Sequence, residues 1–183
     1  MTEEGKKLIV LGVTGGIAAY KAADLCSKLA KEFEVQVIMT ENAQKFVTPL
    51  TFQTLSRRPV ITQLWEHADW KPEHVAVAQE TKLFAVAPCT ANFLAKYAHG
   101  IADDALSTFA ISMHCPALLA PAMNPAMWSH PAVQDNVEIL RRRNVCIAGP
   151  AEGHVACGAD GPGRMIEVSE IMEKIFEILD MKK

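Results

Sequence analysis

A single side-chain amide, Asn124, lies in an apolar segment just after a predicted strand. Residues 117–120 are small or aliphatic, which is typical of a buried parallel strand. Pro121 ends this strand because it has no N–H to donate. Ligands of open α/β sheets bind beyond the carboxyl ends of strands, and an unpaired amide there costs about 1–3 kcal/mol. Asn124 is therefore either a ligand-binding group or a turn residue that hydrogen-bonds its own backbone.

Polar side chains also follow two other predicted strands. Thr40 comes directly after the second strand, and Thr90 and Asn92 come after the third. Because parallel strands end at one edge of their sheet, these side chains and Asn124 are expected to gather there. This convergence favours a functional site at that edge over a purely structural role for the four residues.

A glycine turn joins the first predicted strand to the first predicted helix. A strand, a glycine turn and a helix in this order present backbone N–H groups to a phosphate. The turn from Gly12 to Gly16 does not read G-x-G-x-x-G, so it does not specify a dinucleotide. On the residues alone, a structural glycine turn is as good an interpretation as a phosphate site.

Strands and helices that position these groups alternate along the chain. The predicted strands span 8–13, which is expected to be central, 35–39, 83–87, 117–120 and 145–148. Helices are predicted over 17–32, over 41–55 with a break at Pro49, over 72–80, and over 105–113 with Asp104 as the cap. Three further helices are predicted: one that ends at Tyr97, one that follows Pro131, and one that Ser169 caps. Residues 60–70 are predicted to be a loop or flap, and the Gly- and Pro-rich residues 149–164 a loop. The alternation predicts one α/β domain over 1–183, a doubly wound parallel sheet of the Rossmann-like or flavodoxin-like three-layer type.

Composition excludes several classes of function. The 183 residues carry a net charge of −3, which gives no electrostatic footprint for nucleic acid. The five cysteines form no C-x-x-C, which argues against a disulfide framework and a thiolate metal site. No apolar run is long enough for a bilayer and no signal peptide precedes the first strand, so we expect a cytoplasmic protein without a membrane partner.

Five segments together resemble the homo-oligomeric flavin-containing cysteine decarboxylases, and within them the members that act on phosphopantothenoylcysteine. They are G-V-T-G-G-I-A-A-Y-K from Gly12, H-V-A-V-A from His74, P-C-T-A-N-F from Pro88, P-A-M-N-P-A-M-W from Pro121 and A-C-G-A-D-G-P-G-R-M from Ala156. The fourth matches P-x-M-N-x-x-M-W at every fixed position. The third departs from P-A-S-A-N-T at Cys89, Thr90 and Phe93, and Phe93 is expected to add a ring near the flavin.

The resemblance implies an FMN site and assigns its residues. The residues implied to hold or line FMN are Gly15, Gly16, Ile17, Thr40, Thr90, Ala91, Asn92, Phe93, Ala122 and Met123. Asn124 is implied as the substrate-binding amide, with His154 and Ala156 also at the substrate. His74 is implied as the base that takes the thiol proton, and Cys157 as the donor of the last proton.

The implied activity is FMN-dependent decarboxylation of 4′-phosphopantothenoylcysteine to 4′-phosphopantetheine in coenzyme A biosynthesis. A carboxylate next to an amide-bearing carbon loses CO2 slowly because the resulting carbanion cannot delocalise. Oxidation of the neighbouring CH2–SH to a thioaldehyde supplies an electron sink, and loss of CO2 then gives an enethiol that is reduced to the product. Histidine suits the base at neutral pH, and a thiol on a closing loop suits the final proton donor.

The resemblance also implies partners and leaves alternatives. It implies a homo-oligomer, either a trimer or a dodecamer of trimers. Because no second domain follows residue 183, we expect the phosphopantothenate–cysteine ligase on a separate chain. An oxidative decarboxylase of a C-terminal peptidyl cysteine stops at the enethiol and does not need Cys157. A flavin-fold phosphatase-inhibitory subunit normally carries acidic extensions that this sequence lacks, and a flavin prenyltransferase would not account for His74.

Overall fold

The computed structural model describes residues 6–64, 73–154, 158 and 160–180, with the backbone alone for 73–76. The strands are β1 Leu8–Val13, β2 Glu34–Met39, β3 Thr81–Cys89, β4 Ala117–Pro121, β5 Cys146–Ile147, β6 Ala151–His154 and β7 Asp160–Arg164. The helices are α1 Ala19–Glu32, α2 Pro49–Ser56, α3 Glu73–Glu80, α4 Ala91–His99, α5 Ala105–Ser112, α6 Pro125–Trp128, α7 Pro131–Arg142 and α8 Val168–Ile178, with a 3₁₀ turn at Ala43–Lys45.

Five parallel strands form the main sheet in the order β2-β1-β3-β4-β5. This is the flavodoxin-like order, in which the chain changes direction across the sheet between β1 and β3. The predicted fold class is therefore confirmed. The prediction that the first strand is central is wrong in detail, because β1 lies inside the sheet while β3 holds the middle position.

Two apolar layers cover the two faces of this sheet. Alternate residues of β1 point to opposite layers, so Leu11 packs with α1 and α8 while Val10 packs with α4, α5 and α7. Both are fully buried, as are nearly all residues of the inner strands. Because every inner strand is buried on both faces, its sequence is a continuous apolar run rather than an alternating one.

The predicted cap of α5 is confirmed and has an electrostatic consequence. Asp104 accepts the Ser107 N–H at 2.7 Å and pairs with the Lys96 Nζ at 2.7 Å. Burial raises the pKa of the Asp104 carboxyl, but the hydrogen bonds from Lys96 and Ser107 together outweigh burial and hold that pKa below its ordinary value. Asp104 therefore stabilises the fold most when it is ionised.

The loop predicted over 149–164 is instead an antiparallel hairpin of β6 and β7. Its strands contain Gly153, Gly161 and Gly163, each at a positive φ, so the pattern of branched apolar residues that usually marks a strand is missing. The hairpin contacts the loop after β4, where the Met123 N–H donates to the Gly163 carbonyl, and no local pattern reveals this contact. Its tip at 155–157 and 159 lies outside the described residues.

Two smaller predictions also change. Helix α8 begins after Glu167, not Ser169, because the Glu170 carboxylate accepts the Glu167 N–H at 2.8 Å in a capping box. Pro121 is still paired within β4. The predicted flap over 60–70 lies largely outside the described residues, although Ile61 forms a bridge with Ile38. Over the described ranges, no helix combines the length and apolar character needed to cross a membrane.

Candidate active site

A cavity of about 560 Å³ opens at the carboxyl ends of β1, β3 and β4, where the chain reverses across the sheet. Its wall comprises Gly15, Gly16, Ile17, Ala18, Tyr20, Lys21, Thr90, Ala91, Ala122, Met123, Asn124, Met127, His154, Gly163, Arg164 and Met165. The turns after three strands and both strands of the hairpin therefore meet at one site. The volume suits a cofactor-sized ligand.

The glycine turn forms one wall and leads directly into α1. Ala18 stands at the cap of α1 and supplies no side-chain hydrogen bond. The Ala19 and Lys21 N–H groups donate to the carbonyls of Gly16 and Ala18, so the N–H groups available to an anion are those of the glycine turn that precedes the helix. A Cβ on Gly15 would overlap Asn42, which explains why glycine is required there. A Cβ on Gly16 would meet the Thr90 Cγ2 at 4.0 Å, an ordinary contact. The turn can thus come close to a phosphate.

Thr14 joins the glycine turn to the end of β3. Its buried hydroxyl donates to the Pro88 carbonyl at 2.7 Å and accepts the Thr90 N–H at 3.1 Å. The Thr14 N–H also donates to the Pro88 carbonyl at 3.3 Å, so the hydroxyl and the backbone of Thr14 together join two walls of the cavity. Sequence reasoning gave the Thr14 hydroxyl no role of its own, although its position beside the glycine turn could have indicated one.

Thr90 and Ala91 form the opposite wall. The Thr90 Oγ1 accepts the Phe93 N–H at 3.4 Å and so begins α4. The Phe93 ring is buried in the core, with its centroid 6.4 Å from Phe84 and 6.0 Å from Tyr97. The expectation of a Phe93 ring near the flavin is therefore corrected: the ring completes an aromatic cluster under the sheet, where it excludes water from the core.

The interpretation of Asn124 as a turn residue is confirmed, and the side chain also lies on the wall of the cavity, where its predicted ligand-binding role would apply. Its Oδ1 accepts the Ala126 N–H at 2.8 Å and begins α6, and the residue also lines the cavity. The preceding Met123 N–H donates to the Gly163 carbonyl at 2.9 Å. A Cβ on Gly163 would overlap the Met123 carbonyl, so glycine allows the hairpin to sit directly on this loop.

Two cations give the described part of the wall a positive potential. The Lys21 Nζ lies 2.9 Å and 3.0 Å from the two carboxylate oxygens of Glu167, which stands behind the wall. The Arg164 Nη2 lies 3.6 Å from the same carboxylate. The hydrogen bond from Lys21 holds the pKa of Glu167 below its ordinary value. The site is therefore suited to anionic ligands.

The structure brings together most of the residues predicted for the site. The predicted residues on the wall are Gly15, Gly16, Ile17, Thr90, Ala91, Ala122, Met123, Asn124 and His154. As far as the described residues define the wall, it does not include Thr40, Asn92 or Phe93. The Thr40 Oγ1 instead accepts the Ala43 N–H at 3.3 Å, at the start of the 3₁₀ turn.

Three predicted residues cannot be located in the same detail. The backbone of His74 lies in the first turn of α3, and its side chain is outside the described part. Ala156 and Cys157 lie wholly outside the described residues. Conversely, Lys21 and Arg164 lie on the wall although the sequence analysis gave them no role, despite both being inside the quoted segments.

The sequence and the fold correspond to a known class of proteins. The model of the Flavoprotein family matches residues 1–180, and the chain belongs to that family. Two curated relatives are bifunctional coenzyme A biosynthesis proteins, CoaBC. That of Vibrio vulnificus is 44% identical over 181 residues, covering 96% of this chain and 45% of its own length. That of Bacillus subtilis is 45% identical over 167 residues, covering 90% of this chain and 41% of its own length. The chain spans less than half the length of these relatives.

Solved structures agree with this assignment. The FMN-dependent cysteine decarboxylase SpaF superposes with a TM-score of 0.83 at 32% identity, covering 97% of this chain and 96% of SpaF. A PPC decarboxylase mutant complexed with pantothenoylaminoethenethiol superposes with a TM-score of 0.86 at 24% identity, covering 96% of this chain and 99% of its own. At 24% identity, the similarity to the PPC decarboxylase structure shows a shared fold and nothing more.

Proposed function

We propose that this chain is an FMN-dependent decarboxylase that converts 4′-phosphopantothenoylcysteine to 4′-phosphopantetheine. The observation that carries the proposal is Asn124, within P-A-M-N-P-A-M-W, on the same cavity wall as the glycine turn. The similarity to CoaBC proteins over nearly the whole chain supports it, because those relatives are named for coenzyme A biosynthesis.

The wall fits FMN on its own geometry. The glycine turn at the start of α1, with Gly15, Gly16 and Ile17, would hold the phosphate, since the helix dipole and the backbone N–H groups of this turn favour an anion. Thr90 and Ala91 on one side and Ala122 and Met123 on the other would line the ring system. FMN, when bound, supplies a reversible two-electron acceptor for the carbon beside the thiol.

Asn124 would hold the substrate carboxylate through its amide, because the residue lies at the cavity end of β4. His74 would take the thiol proton, which a neutral imidazole can do at physiological pH. Cys157 would give the last proton to the carbon that lost CO2. The net change is loss of CO2 with no net oxidation, so no external oxidant is needed.

Four of the five cysteines lie in the described part of the chain, and their positions support Cys157 as the proton donor. Burial raises the pKa of the Cys26 thiol to about 12, and burial raises the pKa of Cys89 further. Burial also raises the pKa of Cys115 and of Cys146. None of these four thiols lines the cavity, which leaves Cys157, within a segment rich in glycine, as the proposed proton donor.

A competition assay tests the proposal. The FMN-loaded protein is given phosphopantothenoylcysteine and a peptide ending in cysteine together, and both are followed by mass spectrometry. We expect the first to lose the mass of CO2 alone while the peptide stays unchanged. Loss of CO2 and two hydrogens from the peptide would instead indicate a peptidyl-cysteine decarboxylase. Turnover of neither, with intact FMN binding, would favour a regulatory subunit.

We also propose that the chain acts as a homo-oligomer, a trimer or a dodecamer of trimers. Ile17 and Tyr20 are 59% and 61% exposed at the cavity, and a second copy would cover such apolar side chains. Native mass spectrometry of the wild type and of Tyr20→Glu tests this. A phosphopantothenate–cysteine ligase, on a separate chain or joined to this one, is the expected source of the substrate.

A further inference from the structure

Cations outnumber anions on the cavity wall. Over the described residues that line it, Lys21 and Arg164 carry full charges at neutral pH, and both are positive. The carboxylate that faces them, Glu167, belongs to the cap of α8 and is not part of the wall. Lys21 and Arg164 thus share this one carboxylate, while the Asp160 carboxylate lies 3.2 Å from His154, another residue of the wall.

Lys21 and Arg164 differ in how strongly they interact with Glu167. The side chain of Lys21 is 17% exposed and its Nζ is hydrogen-bonded to both carboxylate oxygens. The side chain of Arg164 is 47% exposed, and its 3.6 Å contact with one of these oxygens is longer than a hydrogen bond. Lys21 therefore neutralises Glu167, and Arg164 keeps guanidinium donors for another acceptor.

The backbone of Arg164 is fixed relative to Asn124. Its neighbour Gly163 accepts the Met123 N–H at 2.9 Å, and Arg164 itself is paired with Ala151 in the hairpin. Glu167, three residues further on, restrains the guanidinium by the longer ion pair. Arg164 is consequently a cation held on the same wall as the proposed carboxylate-binding amide.

We propose that Arg164 determines specificity by binding the terminal phosphate of the substrate; this rests on the proposed function. The proposed substrate has two anionic groups, the carboxylate that is lost and a distant phosphate that does not react. The start of α1 takes the phosphate of FMN and Asn124 takes the carboxylate, so the substrate phosphate needs a third site. A guanidinium binds phosphate in a bidentate manner and suits that task.

Such binding serves turnover because the phosphate remains when the carboxylate leaves. Interactions with a remote, unreacting part of a substrate supply binding energy that orients the reacting end. Arg164 would therefore distinguish phosphopantothenoylcysteine from pantothenoylcysteine, which lacks the phosphate, and from a peptide ending in cysteine.

The test compares Arg164→Gln and Arg164→Lys with the wild type on phosphopantothenoylcysteine and on pantothenoylcysteine. Hydrogen bonds to charged groups predict that Arg164→Gln lowers kcat/KM for the phosphorylated substrate about 10- to 100-fold. We expect kcat/KM for the unphosphorylated substrate to stay within about twofold, and Arg164→Lys to recover part of the loss. Arg142→Gln, at the exposed end of α7, is the matched control and should change neither value.

Two other results would overturn the proposal. An equal loss on both substrates would make Arg164 a general structural residue, and a weaker affinity for FMN at unchanged substrate preference would assign it to the cofactor. A binding measurement separates this proposal from the proposed function, because it needs no turnover. Calorimetry with 4′-phosphopantetheine and pantetheine should show a preference for the phosphorylated compound that Arg164→Gln abolishes. No preference in the wild type would refute the role of Arg164 even if decarboxylation occurs.

Discussion

Replacing Thr14 with valine removes one oxygen that connects two walls of the cavity. Valine keeps the shape of threonine, so the change isolates the hydroxyl and leaves the packing intact. The hydroxyl donates to the Pro88 carbonyl and accepts the Thr90 N–H. The Thr14 N–H keeps its bond to the Pro88 carbonyl, so we expect the spacing between the glycine turn and the Thr90 turn to loosen, and FMN to bind more weakly.

The loss of stability in Thr14→Val depends on which groups lose a hydrogen-bond partner. The Pro88 carbonyl also accepts the Thr14 N–H at 3.3 Å and so remains paired. The partly buried Thr90 N–H loses its Thr14 acceptor, and an unpaired group of this kind costs about 1–2 kcal/mol. That corresponds to a fall in Tm of about 2–8 °C for a chain of this size. We expect the Kd for FMN to rise about tenfold, equivalent to about 1.4 kcal/mol.

Two control variants separate positioning from stability. Thr14→Ser keeps the hydroxyl and should bind FMN nearly as the wild type does. Thr81→Val removes another buried hydroxyl, one that donates to the Val77 carbonyl at the opposite end of β3. It should lower Tm without changing the Kd for FMN. The assay is fluorescence titration of FMN beside thermal unfolding. Equal FMN affinity in Thr14→Val and wild type, or equal loss in Thr14→Ser, would refute the reasoning.

The remaining predictions concern the glycine turn, the α5 cap and the proposed catalytic groups. Gly15→Ala should abolish FMN binding because its Cβ overlaps Asn42, whereas Gly16→Ala should bind FMN measurably; equal affinities in a titration would contradict this. Asp104→Ala should lose about 1 kcal/mol of unfolding free energy at pH 7. Because the folded-state pKa of Asp104 is depressed, this difference should shrink in urea titrations as pH falls through that pKa; a pH-independent difference would count against the ionised cap. His74→Asn should slow reduction of bound FMN by substrate about 10²- to 10⁴-fold in stopped-flow absorbance, and unchanged turnover would remove His74 from the mechanism. Cys157→Ser should still release CO2 but accumulate the enethiol, and normal product from this variant would exclude the donor role.

The sheet and its helices could be predicted because their patterns are local. Apolar runs such as Leu8–Val13 are typical of strands buried on both faces, and the periodic apolar positions of α1 mark one helix face. The site edge followed from Thr90 and Asn124, which come after β3 and β4 and line the cavity. Asn124 shows that residue type alone does not distinguish a structural from a functional role, because its side chain both caps α6 and lines the cavity.

The features that the sequence did not reveal depend on contacts between distant segments. The hairpin of β6 and β7 contacts the loop at Met123, and its glycines replace the branched apolar residues that usually indicate a strand. The Phe93 ring lies in the core because Phe84 and Tyr97 form a cluster around it. The charge on the wall comes from Lys21 and Arg164, which lie far apart in sequence and share Glu167.

Product analysis with carboxyl-labelled phosphopantothenoylcysteine tests most directly whether this cavity performs a redox-neutral decarboxylation. The FMN-loaded protein is incubated with the labelled substrate without any added oxidant, and released CO2 and 4′-phosphopantetheine are measured together. The account predicts equal amounts of the two products over many turnovers, with FMN oxidised at the end. Unchanged substrate, or CO2 release that stops after each bound FMN has been reduced, would contradict it.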